Sequence, residues 1–208
     1  MAVHQKTTRS APEKIEGSAR EKLLRAAGEL FYAEGVHTVG IDRVIERAGV
    51  AKASLYNTFG SKEALVTAYL TERAQTRQEA LTQRIAKEAA PREKILAAFD
   101  VVAELVKRPG FRGCAFVNAS AEGQPDADGV RGVCTSTRSW TRALFTELSR
   151  ELGVREPERV GARLALLYTG AVVSAGMDRN PDAAEDARAL AAMLLDAEAP
   201  KRTRRARS

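Results

Sequence analysis

With 208 residues, 44% hydrophobic and 29% charged, the chain can bury a substantial core as one large domain or as a small domain joined to a larger one. Its net charge of +6 sits at the ends: Lys201, Arg202, Arg204, Arg205 and Arg207 carry +5, the first 17 residues carry +1, and residues 18–200 are neutral, so a polyanion would have to be met by a local surface of the body. An N-terminal apolar signal is missing, the apolar run Leu164 to Met177 is shorter than the roughly 18–20 residues of a bilayer span, and Cys114 and Cys134 are too few for a disulfide scaffold; a cytoplasmic protein with no membrane partner is expected.

Residues 1–16 read as a disordered basic arm. Ser18-Ala19-Arg20-Glu21 then matches a capping box, in which the Ser18 hydroxyl and the Glu21 carboxylate satisfy free amides reciprocally. The helix it opens carries Leu23, Leu24, Ala27, Leu30 and Phe31 on one face and stops at Gly35. After a loop, Ile41, Val44, Ile45 and Ala48 again share a helical face, Gly49 ends the helix, and the apolar pattern resumes from Val50 through Leu55 and Phe59. Two short helices about a tight turn make a helix-turn-helix over 40–59. The outward positions of its second helix, Lys52, Ser54, Tyr56 and Asn57, include no acid.

Those residue types suit DNA. Asn57 can pair bidentately with adenine, Lys52 can reach guanine, and Ser54 with small Ala53 lets the helix approach the groove. Tyr56 offers a hydroxyl to a phosphate, and Lys62 lies in the first turn of the next helix, where free amides favour an anion. Thr38 and Arg43 could touch the backbone around the first helix of the motif. The bland alternatives are that Tyr56 covers the motif's core, that the lysines are solvated, and that His37 has no role.

Ser61 is an N-cap for a helix carrying Leu65, Val66, Tyr69 and Leu70 and running to about Lys87. Pro91 opens the next, with Ile95, Leu96, Phe99, Val102, Leu105 and Val106 at helical spacing, and Pro109-Gly110 ends it. A short helix is expected over Ala115 to Glu122, and a long one presents Val130, Val133, Cys134, Thr137, Trp140, Leu144, Phe145, Leu148 and Leu152 inward before Gly153. Pro157 and Pro181, the latter behind the N-cap candidate Asn180, open the last two. Alternating strand patterns are absent from the sequence, so the fold class is all-α. The spans expected are a DNA-binding domain over 17–77, a larger helical domain over 78–199 and a disordered basic tail over 200–208.

The first 60 ordered residues resemble the DNA-binding domain of the TetR family of transcriptional regulators. The resemblance is carried by Leu23-Leu24, Leu30-Phe31, Gly35-Val36, Val44-Ile45, Ala48-Gly49-Val50, Leu55-Tyr56, Phe59 and Ser61-Lys62-Glu63-Ala64-Leu65, with the family's spacing and no insertion. It covers about a third of the chain. Gly40 departs from it: a hydroxyl residue is common at this N-cap, so a side-chain phosphate contact there is lost.

The resemblance implies an operator-binding homodimer built from the two C-terminal helices, and a pocket for a small-molecule effector in the larger domain. Tyr69, Phe99, Phe111, Phe116, Trp140 and Phe145 are then candidate walls, with Asn118, Arg112 and Arg138 as polar anchors, although helix-spaced aromatics also serve as plain core. The helix from Val160 to Met177, apolar over most of its circumference, suits the interface; its alternative is an intrachain core helix. A repressor released from a double-stranded DNA operator by a ligand is the leading expectation. The rival is a ligand-independent architectural DNA binder using the basic ends. An enzyme is not expected, because no catalytic constellation, cofactor loop or metal-ligand spacing stands out. The two cysteines read as small buried hydrophobes rather than redox sensors.

Overall fold

The computed structural model describes residues 15–122 and 128–198. Most of the arm and the whole of the expected basic tail over 200–208 lie outside the described residues. Among the described residues the chain forms nine helices and no strand.

Helix α1 (Ala19–Glu34) starts as its sequence demands: the Ser18 hydroxyl accepts the Glu21 N–H at 3.3 Å and the Glu21 carboxylate accepts the Ser18 N–H at 2.8 Å. Ile15, expected in the disordered arm, is buried at 5% exposure against the same core. Helices α2 (Ile41–Ala48) and α3 (Lys52–Phe59) pack on α1, and α4 (Lys62–Ile85) follows, with the Ser61 hydroxyl accepting the Ala64 N–H at 3.1 Å. The remaining elements are α5 (Pro91–Val106), α6 (Ala115–Glu122), α7 (Asp128–Leu152), α8 (Pro157–Met177) and α9 (Ala183–Glu198). Helix α9 begins two residues beyond Pro181, because the Asn180 side chain accepts the Asp182 N–H at 3.0 Å and makes a local turn instead of a helix cap.

Two cores divide the molecule. The first gathers Leu23, Phe31, Val44, Leu55, Leu65 and Leu70 with Phe116, Ala119, Val130 and Cys134, so α6 and the start of α7 sit on the N-terminal unit. The second joins Leu81 and Ile85 to α5, the later part of α7, α8 and α9, around Phe99, Phe145 and Tyr168, whose ring centroids are 5.8–5.9 Å apart. Helix α4 supplies both: Leu65, Val66, Tyr69, Leu70 and Ala74 to the first, Leu81 and Ile85 to the second. The expected boundary at 77 therefore falls inside one unbroken helix.

Helix α8, at 21 residues, is long and apolar enough by length and composition to cross a membrane, contrary to the shorter run expected. The difference arises because the helix begins at Pro157 and adds Val160 and Gly161 to the apolar stretch. Here it packs against α5, α7 and α9 of its own chain, burying Val160, Leu164, Tyr168, Ala171, Val172 and Ala175. Gly161 makes the crossing with α7 possible: a Cβ there would lie 2.7 Å from the backbone N and Cα of Thr146. Replacing Gly161 by Ala should cost about 1–3 kcal/mol through overpacking, read as a lower midpoint in thermal or urea unfolding. An unchanged midpoint would show that the crossing relaxes freely.

Candidate nucleic-acid interface

The motif is held by a small number of fully buried anchors. Val44 and Leu55 are at 0% exposure and Ala48 at 3%, pinning α2 and α3 to α1 and α4. Between the two helices Gly49 adopts φ 65°, ψ 38°, and its N–H reaches the Ile45 carbonyl at 3.0 Å while the Val50 N–H reaches the same oxygen at 3.4 Å. This left-handed closure favours glycine. With Leu55 turned inward, α3 presents Lys52, Ala53, Tyr56, Asn57 and Thr58 outward. Tyr56 is 47% exposed, so its ring is not a core cover.

The candidates differ in how free they are. Asn57 and Thr38 are exposed. Ser54 is half-buried, deeper than the outward face expected for it, and its carbonyl accepts the Thr58 hydroxyl at 2.6 Å. Lys52 Nζ lies 2.9 Å from Asp42 on α2, and that hydrogen bond raises the lysine's pKa above its ordinary value. Arg43 forms a two-pronged pair with Glu34 at 2.7 and 2.9 Å, which pushes the arginine's pKa up and the carboxyl's down. Both pairs are solvent-facing, where ion pairs are weak and easily exchanged for a phosphate. Lys62 Nζ points back over the loop before α2 and donates to the His37 carbonyl at 3.5 Å. Neither Gly40 nor Ala51 caps its helix with a side chain, leaving the amides of α2 and α3 open to an anion.

Sequence reasoning missed Asp42 and Glu34 as competitors for Lys52 and Arg43, since ten and nine residues separate the partners and only the fold brings them together. Thr58 was missed too, although its helical position beside Ser54 was a signal.

The candidate pocket residues do not converge. Tyr69, at 3% exposure, and Phe116 belong to the first core, Tyr69 edge-on to Phe31 at 5.8 Å; Phe99, at 0%, belongs to the second, and Phe111 and Trp140 pack half-buried at its margin. Asn118 spends its amide on the Arg112 carbonyl at 3.1 Å, and Arg112 and Arg138 are exposed. A cleft of about 460 Å³ lies elsewhere, between α5 and α9, lined by Asp100, Glu104, Lys107 and Arg188 among others. Burial pushes the Cys134 thiol up, away from the reactive thiolate, and Cys114 is half-buried.

Comparison with known proteins agrees with this geometry. Residues 23–69 match the family profile described as bacterial regulatory proteins, tetR family. The chain is similar to SCO4454, a TetR-family transcriptional regulator from Streptomyces coelicolor, at 33% identity, covering 88% of this chain and 96% of that one with a TM-score of 0.81. The chain belongs to the TetR family. Among curated relatives, the transcriptional activator FasR of Mycolicibacterium smegmatis is 30% identical over 65% of this chain and 61% of FasR, so the match spans less than two thirds of that protein. The transcriptional regulator AcuR of Cereibacter sphaeroides is 28% identical over 87% of this chain and 88% of its own. Membership in the TetR family places the chain among DNA-binding transcriptional regulators rather than enzymes.

Two measurements test the interface. Tyr56→Phe removes one hydroxyl and should weaken operator binding about fivefold to tenfold, and Lys62→Ala should lower affinity evenly across sequences and reduce the salt slope by about one; the pair leaving affinity unchanged would refute both phosphate roles. Asp42→Asn frees Lys52 and should tighten binding severalfold at low salt, with weaker binding in a gel-shift titration as the contrary result.

Proposed function

We propose that this protein is a homodimeric, sequence-specific repressor that leaves its operator when a small ligand binds the larger domain. The observation that carries the reading is α4: one helix sets Lys62 beside the recognition motif and inserts Leu81 and Ile85 into the second core. A ligand that favours a different packing of that core would tilt the helix and with it the motif. The ligand acts by binding one arrangement more tightly than the other, which shifts the population.

The dimer rests on the outward faces of α8 and α9. Leu166, Met177, Leu190 and Met193 are 73%, 78%, 50% and 66% exposed. On α8 Leu166 and Met177 align with exposed Gly170 and Ser174 at helical spacing, a small-residue stripe that lets a second backbone approach. Apolar side chains this exposed on two packed helices call for a partner surface, and two-fold pairing of half-sites multiplies the modest specificity of a short recognition helix.

Recovery of bound DNA across the source genome should yield a two-fold related operator, preferred over random duplex by roughly 10³-fold or more. Deletion of the protein should raise transcription from that promoter; a fall would mark an activator. Sedimentation at micromolar concentration should show a dimer, and Leu166→Glu with Met193→Glu should give monomers that lose the operator. A wild-type monomer under those conditions would refute the assembly.

A further inference from the structure

Where the two cores meet, α4 carries two arginines one turn apart, Arg73 and Arg77, both half-buried. The guanidinium of Arg73 lies over the Tyr32 ring at 4.0 Å and near the Tyr69 ring at 5.5 Å. That of Arg77 lies 5.0 Å from the Tyr168 ring and 5.9 Å from the Phe116 ring, and donates to the Thr141 hydroxyl at 3.1 Å. Each guanidinium has five N–H donors. Among the described residues thirteen ion pairs form, and neither Arg73 nor Arg77 is in one of them. Glu122, the acid of α6 close to this seam, is engaged by the His37 N–H at 3.0 Å. Two half-buried cations thus stand in this seam against rings and hydroxyls, Arg77 hydrogen-bonded to the Thr141 hydroxyl and to the Tyr168 side chain, and neither has a carboxylate ion-pair partner among the described residues, where charges are ordinarily paired.

We infer that this seam is an anion site, and that the effector class of the protein is a small organic carboxylate whose aromatic or aliphatic body lies against the rings and whose carboxylate is taken by Arg73 and Arg77. The planar guanidinium fork matches a carboxylate, and low local dielectric strengthens the pair. Burial pushes the Tyr69 hydroxyl up to about 12 and raises that of Tyr168 as well, so both remain neutral donors in the neutral pH range.

The site also reaches the parts that must move. Tyr32 of α1, under Arg73, donates to the Gly113 carbonyl and accepts the Arg112 N–H, each at 3.0 Å, tying α1 to the α5–α6 connection. That connection meets the end of α8 backbone to backbone: a Cβ on Gly176 would lie 2.5 Å from the Gly113 Cα. Arg73 is about 16 Å along the helix from Lys62 at its DNA-facing end. A carboxylate drawing the two arginines together would thus act on α4, α1 and α6 at once.

The inference rests on the ligand-release reading above, and the test separates the two. Full-length protein is titrated by calorimetry and thermal shift with benzoate, phenylacetate and octanoate, with the corresponding neutral amides, and with inorganic phosphate at matched ionic strength. At least one acid should bind and raise Tm, its amide should bind at least about tenfold more weakly, and Arg73→Gln and Arg77→Gln should each lower acid affinity about tenfold or more. Arg77→Lys, keeping the charge, should retain part of it. Equal binding of acid and amide, binding of phosphate alone, no acid binding at millimolar concentration, or unchanged affinity in both glutamine variants would overturn the proposal. The acid-amide comparison needs no variant and so survives a folding failure. Acids that bind as expected yet leave operator occupancy unchanged keep the site and refute ligand release; amides that release operator while acids do not refute the anion site and keep ligand release.

Discussion

The continuity of α4 is the constraint on which the rest depends. A helix of 24 residues is stiff over its length, and its two ends are locked into different cores by fully buried Leu65 and Leu70 at one end and Leu81 at the other. Neither core can repack along α4 without transmitting some displacement, because close-packed interiors shift between discrete arrangements instead of deforming smoothly. The first core does not end with the N-terminal unit: Phe116, Ala119, Val130 and Cys134 are part of it. The DNA-facing helices and the larger domain are therefore coupled by packing as well as by a connecting helix.

Electrostatics on the recognition side is local and competitive. The body from 18 to 200 is neutral, and the cations nearest the motif have acids of their own, Asp42 for Lys52 and Glu34 for Arg43. Such surface pairs contribute little to stability, but they hold long side chains in place and set a cost that a phosphate must exceed. On the proposed reading, a phosphate would have to displace these acids before either cation could position the duplex, a role separate from the base contacts that would specify sequence.

The interior shows the opposite logic. Where the two cores meet, arginines, tyrosines and a threonine replace aliphatic side chains, and the cations are set against rings instead of carboxylates. A chain selecting only for stability would fill that seam with leucine. Tyr69, Arg73 and Arg77 recur at i, i+4 and i+8 along α4, a cationic break in an otherwise apolar stripe that can be seen in the sequence once one looks for it.

The sequence by itself determined the helices, their caps and the motif, because these depend on local chemistry: Ser18 with Glu21, Gly49 in its left-handed turn, Ser61 ahead of α4, and the 3.6-residue period that turns Val44 and Leu55 inward. It also contained the family's spacing, which is carried by those same residues. Only the tertiary structure decided which candidates are free. Lys52 and Arg43 meet acids from other helices, Ser54 is half-buried, and Tyr56 stands out in solvent. It also decided that the aromatics divide between two cores instead of enclosing one volume, and that Arg73 and Arg77 lie among them with no ion-pair partner among the described residues. Periodicity reports which face of a helix is turned inward; what that face meets depends on partners dozens of residues away, which no local pattern encodes.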